Sequence, residues 1–307
     1  MAKAIKRKES KVRITVYEIH YVEQNPHAPK LSKDLYQSLN ASKTIRDRLM
    51  PLTQEENNSD NDFITKFIPS TDFLFGSFAR LTTGEESSVP KAVLDQKEVS
   101  LNDMISESNK NSEGSIKTSS FFCIYKTLLA VTNKQQTIKP LEVYVNWLLE
   151  KDSRGIGRIR FIPKKNTATL VPVQDIKSVQ ISGDYINAKD ETKSKALSLT
   201  SQLLKMLLDV KGKKDFDEEN LISAILTLKF KQKEIKKEQA LDAAFRITDD
   251  ENIIVTGKDG NRIRGSQYLI TAVKNIEKLK NGIFNEQEIE TAMRQILKDV
   301  KNGKLVS

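Results

Sequence analysis

The stretch ILTLKFKQKEIKK, residues 225–237, places a lysine at every second position beside a row of apolar side chains. Alternation with a period of two is typical of a strand that has one buried and one solvated face. The stretch therefore predicts a sheet with one face in a core and the other positively charged. The alternating residues are Leu226, Leu228 and Phe230 on one side and Lys229, Lys231 and Lys233 on the other.

The charge balance of the chain favours an anionic partner. Its 307 residues contain 50 Lys plus Arg against 41 Asp plus Glu, which gives a formal net charge of +9. Nucleic acid and an acidic membrane surface both suit such a balance. No window approaches the roughly 20 apolar residues that cross a bilayer. The single cysteine, Cys123, has no second cysteine for an internal disulfide. We therefore expect a cytoplasmic protein in a reducing environment.

Strand and helix patterns alternate irregularly along the chain, which predicts an α+β fold with mixed or mostly antiparallel sheets and packed helices. We expect two domains, 1–152 and 153–307, of which the second carries the basic strands. In the first, the patterns predict strands at 11–23, 63–68 and 72–81, a hairpin at 116–132, and helices at 32–50 and 139–151. Residues 82–115 are predicted to be a mobile polar excursion with one short helical candidate at 100–108. In the second, they predict strands within 157–184 and at 221–233, a helix at 193–212, a hairpin at 252–265 and two helices within 268–302.

Three basic elements lie in the second half of the chain, and each has two interpretations. Basic side chains on strands or hairpins can neutralise phosphates and release counterions. They also occur on ordinary solvated faces, where lysine on an edge strand prevents aggregation. Because all three elements fall in one half of a positively charged chain, we predict a surface that binds duplex DNA without reading its sequence. The candidate residues are Lys229, Lys231, Lys233, Lys236 and Lys237, then Arg158, Arg160, Lys164 and Lys165, and finally Arg262 and Arg264.

Signatures of catalysis are weak. Gly260 and Gly265 have the spacing of a phosphate-binding loop but lack the lysine and hydroxyl that should follow. A metal-dependent nuclease could use Glu191 or Glu234, each with a lysine two residues later, but chance produces this spacing in a chain that is 30% charged. The lone Cys123, within FFCIY, is typical of a core position. We therefore expect no catalytic residues, no metal and no cofactor, with a nuclease as the alternative.

The basic stretch KFKQKEIKK, followed later by the helix NEQEIETAMRQIL, resembles the C-terminal half of the lambda-type phage exclusion family RexA. Upstream, SFFCIYKTLLAVT, the helix KPLEVYVNWLL and the basic strands of 157–184 keep the same order, so the resemblance covers roughly 116–300. The basic motif is one residue longer than the family's form, which shifts the register of Lys236 and Lys237. Residues 1–110 carry no such resemblance.

The resemblance implies a non-catalytic homodimer that binds double-stranded DNA with little sequence preference and has a two-part fold likened to RdgC. It places Lys229, Lys231, Lys236 and Lys237 on the DNA-facing surface. It further implies a sensor in abortive phage defence that works with a small membrane effector encoded nearby, an arrangement similar to that of the Kiwa defence protein KwaB. A second alternative needs no nucleic acid, because the same basic face could dock an acidic protein or a membrane partner.

Overall fold

The computed structural model shows an α+β fold in which the described strands pair antiparallel, so the fold class predicted from the sequence is confirmed. It describes residues 9–21, 31–52, 60–82, 89–104, 112–132, 138–152, 159–166, 175–184, 223–229, 253–278 and 284–304.

Two sheets contain the strands. The larger is built from β1 (Glu9–Tyr21), β2 (Met50–Pro51), β3 (Asp60–Pro69), β4 (Phe73–Thr82), β5 (Val89–Pro90), β6 (Ser112–Tyr125), β7 (Leu128–Thr132), β8 (Ile159–Pro163) and β13 (Thr271–Glu277). Its order is β13-β1-β7-β6-β4-β3-β2, with β5 paired to β6 and β8 paired to β1. The smaller is built from β9 (Ile176–Asp184), β10 (Ser223–Lys229), β11 (Ile253–Gly257) and β12 (Arg262–Arg264), in the order β10-β9-β11-β12.

Of the described helices, two lie on opposite faces of the larger sheet. Phe73 and Phe78 of β4 are an odd number of residues apart and so point to opposite faces. The Phe78 ring packs 5.5 Å from that of Tyr144, whereas the Phe73 ring lies 5.3 Å from the guanidinium carbon of Arg294. The helices are α1 (Leu31–Ala41), α2 (Lys91–Leu94), α3 (Leu101–Met104), α4 (Lys139–Lys151), α5 (Gly265–Tyr268) and α6 (Glu286–Lys301). Tyr144 belongs to α4, which packs with α1, and Arg294 belongs to α6.

The two central strands of this sheet are therefore buried on both faces. Residues 73–81 of β4 are all buried, as are 121–124 of β6. Double-sided burial explains why FLFGSFARL and FFCI are nearly continuous apolar runs instead of alternating ones.

The chain divides into two compact units, residues 1–164 with 270–307 and residues 165–269. The larger sheet with α6 belongs to the first unit, and the smaller sheet belongs to the second. The predicted second domain, 153–307, is thus divided between the units, and the predicted boundary at 152 falls inside the first.

Three local predictions differ from the structure. The helix predicted for 32–50 ends at Ala41, because Arg46–Arg48 form a 3-10 turn and Met50–Pro51 pair with β3 as strand β2. Residues 271–277, predicted within a helical region, form β13, because they pair with β1 over the register from Thr271 with Thr15 to Glu277 with Glu9. The polar excursion predicted for 82–115 contributes to the core, since the apolar residues of its described part are buried. These are Val89, Val93, Leu94, Val99, Leu101 and Met104.

Other predictions are confirmed where the structure describes them. The helix at 139–151 is α4, the hairpin at 116–132 is β6 with β7, and the hairpin at 252–265 is β11 with β12. Within 221–233, β10 confirms the strand as far as Lys229. The predicted helix at 193–212 lies outside the described residues.

Candidate nucleic-acid interface

The smaller sheet has one buried and one polar face. Val179 and Val255 are buried, whereas Ser178, Gln180 and Thr256 are half-buried. The register pairs Ser178 with Thr256 and Val179 with Val255. Because paired residues of antiparallel strands share a face, the hydroxyl and carboxamide groups line one face, together with the half-buried Ile254, and the valines line the other.

Two arginines extend the polar face to the edge of the sheet. Arg262 and Arg264 of β12 are exposed, and Ile263 between them is half-buried. Arg262 pairs in register with Thr256, and its Nη2 donates to Oε1 of Gln180 at 3.4 Å. Arg264 lies two residues along the same strand and shares that face. We call Ser178, Gln180, Thr256, Arg262 and Arg264 the polar sheet face.

The turn before β12 is fixed by its own side chains. Gly260 has a φ of 85°, a left-handed conformation that glycine adopts without steric cost. Asp259 accepts from the backbone N–H of Asn261 at 3.0 Å and from its side-chain Nδ2 at 2.6 Å. Lys258, the other cation of this hairpin, lies with its Nζ 3.3 Å from Oδ1 of Asp175. The charge of Lys258 is therefore partly neutralised.

The arginines of β12 carry their charge without a described acidic partner. The backbone N–H of Arg264 donates to Oε1 of Gln267 at 3.0 Å, which fixes the main chain where β12 meets α5. Within the part of the chain that the structure describes, no carboxylate forms an ion pair with Arg262 or Arg264. A guanidinium group that is not paired with a carboxylate can bind an external anion in a bidentate manner.

The lysine-rich element predicted from the sequence is described only in part. Lys229 is the last residue of β10 and the register partner of Ser178, and Leu228 before it is the partner of the buried Val179. The strand register thus agrees with the predicted alternation. The other candidates of this element lie outside the described residues, namely Lys231, Lys233, Lys236 and Lys237.

The second basic element is split between the units. Arg160 is exposed on β8, and Nζ of Lys164 forms an ion pair with Oε1 of Glu18, so both belong to the first unit. Lys165 is half-buried and belongs to the second unit, and Arg158 lies outside the described residues. Of the described members of the predicted set, Lys165, Lys229, Arg262 and Arg264 therefore fall in one unit.

Sequence reasoning missed the uncharged members of the polar sheet face, Ser178, Gln180 and Thr256. Part of their signal was present, because IKSVQIS places polar residues at alternate positions, whereas IIVTG contains a single polar side chain, Thr256. Hydroxyl and carboxamide groups donate to phosphate oxygens as charged groups do.

The described residues give no support to hydrolytic chemistry. Burial raises the pKa of Cys123 to about 12, so its thiol stays protonated at neutral pH and is a poor nucleophile. Among the residues that the structure describes, no group of three or more His, Cys, Asp or Glu side chains could hold a metal ion. Glu191 and Glu234, the acids considered for a nuclease, lie outside them.

Comparisons with known proteins add no identification. None of the described helices is long and apolar enough to span a membrane. A scan against models of protein families found no match, and a search of curated proteins found no similar sequence.

Proposed function

We propose that this chain is a non-catalytic protein that binds double-stranded DNA through the polar sheet face of residues 165–269. The observation that carries the proposal is the pair of exposed arginines on the edge strand β12, Arg262 and Arg264, without a described carboxylate partner. The net charge of +9 adds attraction at long range.

The geometry favours contact with the phosphate backbone over base reading. Side chains two residues apart on a strand are separated by about 7 Å, so Arg262 and Arg264 can engage separate phosphates. Ser178 and Thr256 can donate to the same backbone from the centre of the sheet. The residues of the polar sheet face all lie on strands, so none of them belongs to a helix that could enter a major groove. Binding should therefore depend on salt and hardly on sequence.

The setting of this activity is proposed on the resemblance to the RexA family. It comprises a cytoplasmic homodimer that serves as a sensor in phage exclusion and works with a small membrane effector. Lys229, at the register position beside Ser178, joins the interface in this proposal.

A salt titration of duplex binding tests the proposal. Binding to two fluorescent duplexes of unrelated sequence is measured by anisotropy, without divalent metal, for the parent chain and for the double variant Arg262→Ala with Arg264→Ala. We expect the variant to lose affinity by the same factor on both duplexes. The slope of log affinity against log salt should flatten by about 1.8, because each lost phosphate contact removes roughly 0.9.

The matched control is Lys274→Ala with Lys43→Ala, which removes two exposed cations from the first unit. It should leave affinity close to that of the parent. Equal binding by the parent and the double arginine variant would refute the polar sheet face as the interface. Stronger binding of the parent to anionic vesicles than to DNA at matched salt would favour a membrane partner.

A further inference from the structure

The two edge strands β8 and β13 together occupy one side of β1 as if they were a single strand. β8 pairs with residues 17–21 of β1 and β13 with residues 9–15, both antiparallel. β7 pairs with residues 14–18 and so overlaps both registers. Since a strand has only two edges, β7 lies on one edge of β1, and β8 and β13 share the other.

The two segments meet at one residue. The carbonyl of Val16 accepts from the N–H of Lys164 at 2.9 Å, and the N–H of Val16 donates to the carbonyl of Ile270 at 3.0 Å. In an uninterrupted antiparallel ladder one opposite residue would exchange both bonds. Here Lys164 makes one of the two bonds to Val16 and Ile270 makes the other, and the ladder along β1 continues on either side.

The ends of the intervening segment are also paired. The N–H of Ile270 donates to the carbonyl of Lys164 at 2.9 Å, and the N–H of Asn166 donates to the carbonyl of Tyr268 at 2.8 Å. Between these bonds, Lys165 and Leu269 form an antiparallel bridge. The chain therefore leaves and re-enters the first unit at adjacent points.

The segment between these ends buries side chains of its own. Ile176, Val179, Ile253 and Val255 are each fully buried, and Tyr268 of α5 is as well. None of them belongs to the large core cluster of the first unit. Adjacent ends and a separate set of buried residues are the marks of an inserted folding unit.

We infer that residues 165–269 are an insertion that interrupts one strand of the first unit, and that the first unit keeps its fold when this insertion unfolds. The inference also places the whole DNA-binding activity in the insertion, and that second part rests on the proposed function.

The single tryptophan makes the test possible in the full chain. Trp147 lies on α4, in the first unit, and packs against its core with its ring 5.7 Å from that of Tyr144. Its fluorescence during urea unfolding reports the first unit alone. Val179→Asp and, independently, Val255→Asp place a carboxylate in the buried face of the smaller sheet. Val131→Asp is the matched control, since Val131 is a buried valine on β7 of the larger sheet.

Both variants of the smaller sheet should keep the parent midpoint of the Trp147 transition, whereas Val131→Asp should lower or abolish it. Hydrogen exchange, measured on peptides from 176–184 and 253–264, should rise in Val179→Asp and Val255→Asp and so show that the insertion has opened. If Val179→Asp and Val255→Asp lower the urea midpoint of the Trp147 transition as far as Val131→Asp does, the inference is overturned.

Duplex binding separates the two proposals. If the inference and the proposed function both hold, Val179→Asp loses binding at an unchanged Trp147 midpoint. If the parent chain does not bind DNA, the proposed function fails, while the Trp147 and exchange measurements still decide whether the insertion is independent. Full binding by a variant whose insertion has opened would refute its role as the binding unit.

Discussion

At the residue scale, Arg48 shows how a charge can serve as a structural crosslink. Its side chain is fully buried, which is rare for a charged residue. Its Nε donates to the carbonyl of Ile64 at 2.7 Å, and its Nη2 donates to those of Thr65 at 3.2 Å and Lys97 at 2.7 Å. Burial lowers the pKa of Arg48. The three bonds tie β3 to the turn that follows α2.

Replacing Arg48 should therefore lower the stability of the protein more than replacing an exposed arginine would. Arg48→Ala removes the side-chain donor from three carbonyls and opens a cavity, and we expect a loss of about 3 to 5 kcal/mol in the free energy of unfolding. Arg48→Met keeps most of the volume and should lose less. Urea denaturation of the three proteins measures both effects, and a parent-like midpoint for Arg48→Ala would contradict the crosslink.

Lys164, a predicted DNA contact, forms an ion pair with Glu18. Burial raises the pKa of Glu18, but the hydrogen bond and charge of Lys164, helped by His20, outweigh it and hold that pKa below its usual value of 4.5. A carboxyl whose pKa is depressed on folding stabilises the protein at pH values above the pKa of the unfolded state. This stabilisation is lost as the pH falls through the pKa of the folded state.

Lys164→Met should raise the Glu18 pKa toward its ordinary value, which an NMR titration of the carboxyl measures. The stability difference from the parent should be about 1 kcal/mol or less at neutral pH, because both side chains are roughly one-third exposed. The difference in stability between the two proteins should become smaller as the pH falls below 4.5, because Glu18 then becomes protonated. A pKa for Glu18 that does not move would show that the ion pair is not what depresses it.

At the element scale, Gly76 permits the close pairing of β4 with its neighbours. A Cβ at this position would lie 2.6 Å from the ring of Phe122 and 2.9 Å from the carbonyl oxygen of Lys66. We expect Gly76→Ala to cost about 1 to 3 kcal/mol by overpacking, as measured by urea denaturation. Adding Phe122→Leu should recover part of the loss in a double-mutant cycle, and purely additive effects would exclude the ring as the cause.

The elements also show what local patterns can predict. Helix α4 was predicted because Leu141, Tyr144 and Leu148 recur at helical spacing, and all three are buried. β13 was missed because its strand character comes from β1, a partner more than two hundred residues away in the sequence. Arg46 and Arg48 look alike in TIRDRLM, yet one is exposed and the other fully buried, and only tertiary packing distinguishes them.

In the candidate site, too, features set by the local sequence could be predicted and those set by tertiary packing could not. Arg262 and Arg264 could be predicted, because the turn residues between two apolar runs define a hairpin on which they must lie. The pairing of Lys164 with Glu18 could not, because it joins strands far apart in the sequence. The sequence therefore shows where the basic residues lie, but not which of them form ion pairs within the fold.

At the scale of the whole molecule, the C-terminal segment completes the unit that the N-terminus begins. β13 covers the edge of β1, and α6 buries Ile289, Met293 and Ile296 against the larger sheet. Deleting residues 270–307 should therefore abolish the cooperative urea transition of Trp147, although Trp147 lies far from the deletion in sequence. Deleting only 303–307 is the control and should keep it. A parent-like transition after the larger deletion would show that 1–164 folds alone.

The interrupted strand opposite β1 also sets an order for biosynthesis. When residues 9–15 have left the ribosome, their edge partner, β13, is still separated from them by the entire insertion. At ordinary translation speed the segment 165–269 alone takes on the order of ten seconds to synthesise. During that interval the nascent chain carries an open strand edge, which is a template for mispairing with other chains. A chaperone that binds exposed strands would therefore have its greatest effect on yield before residue 271 is translated.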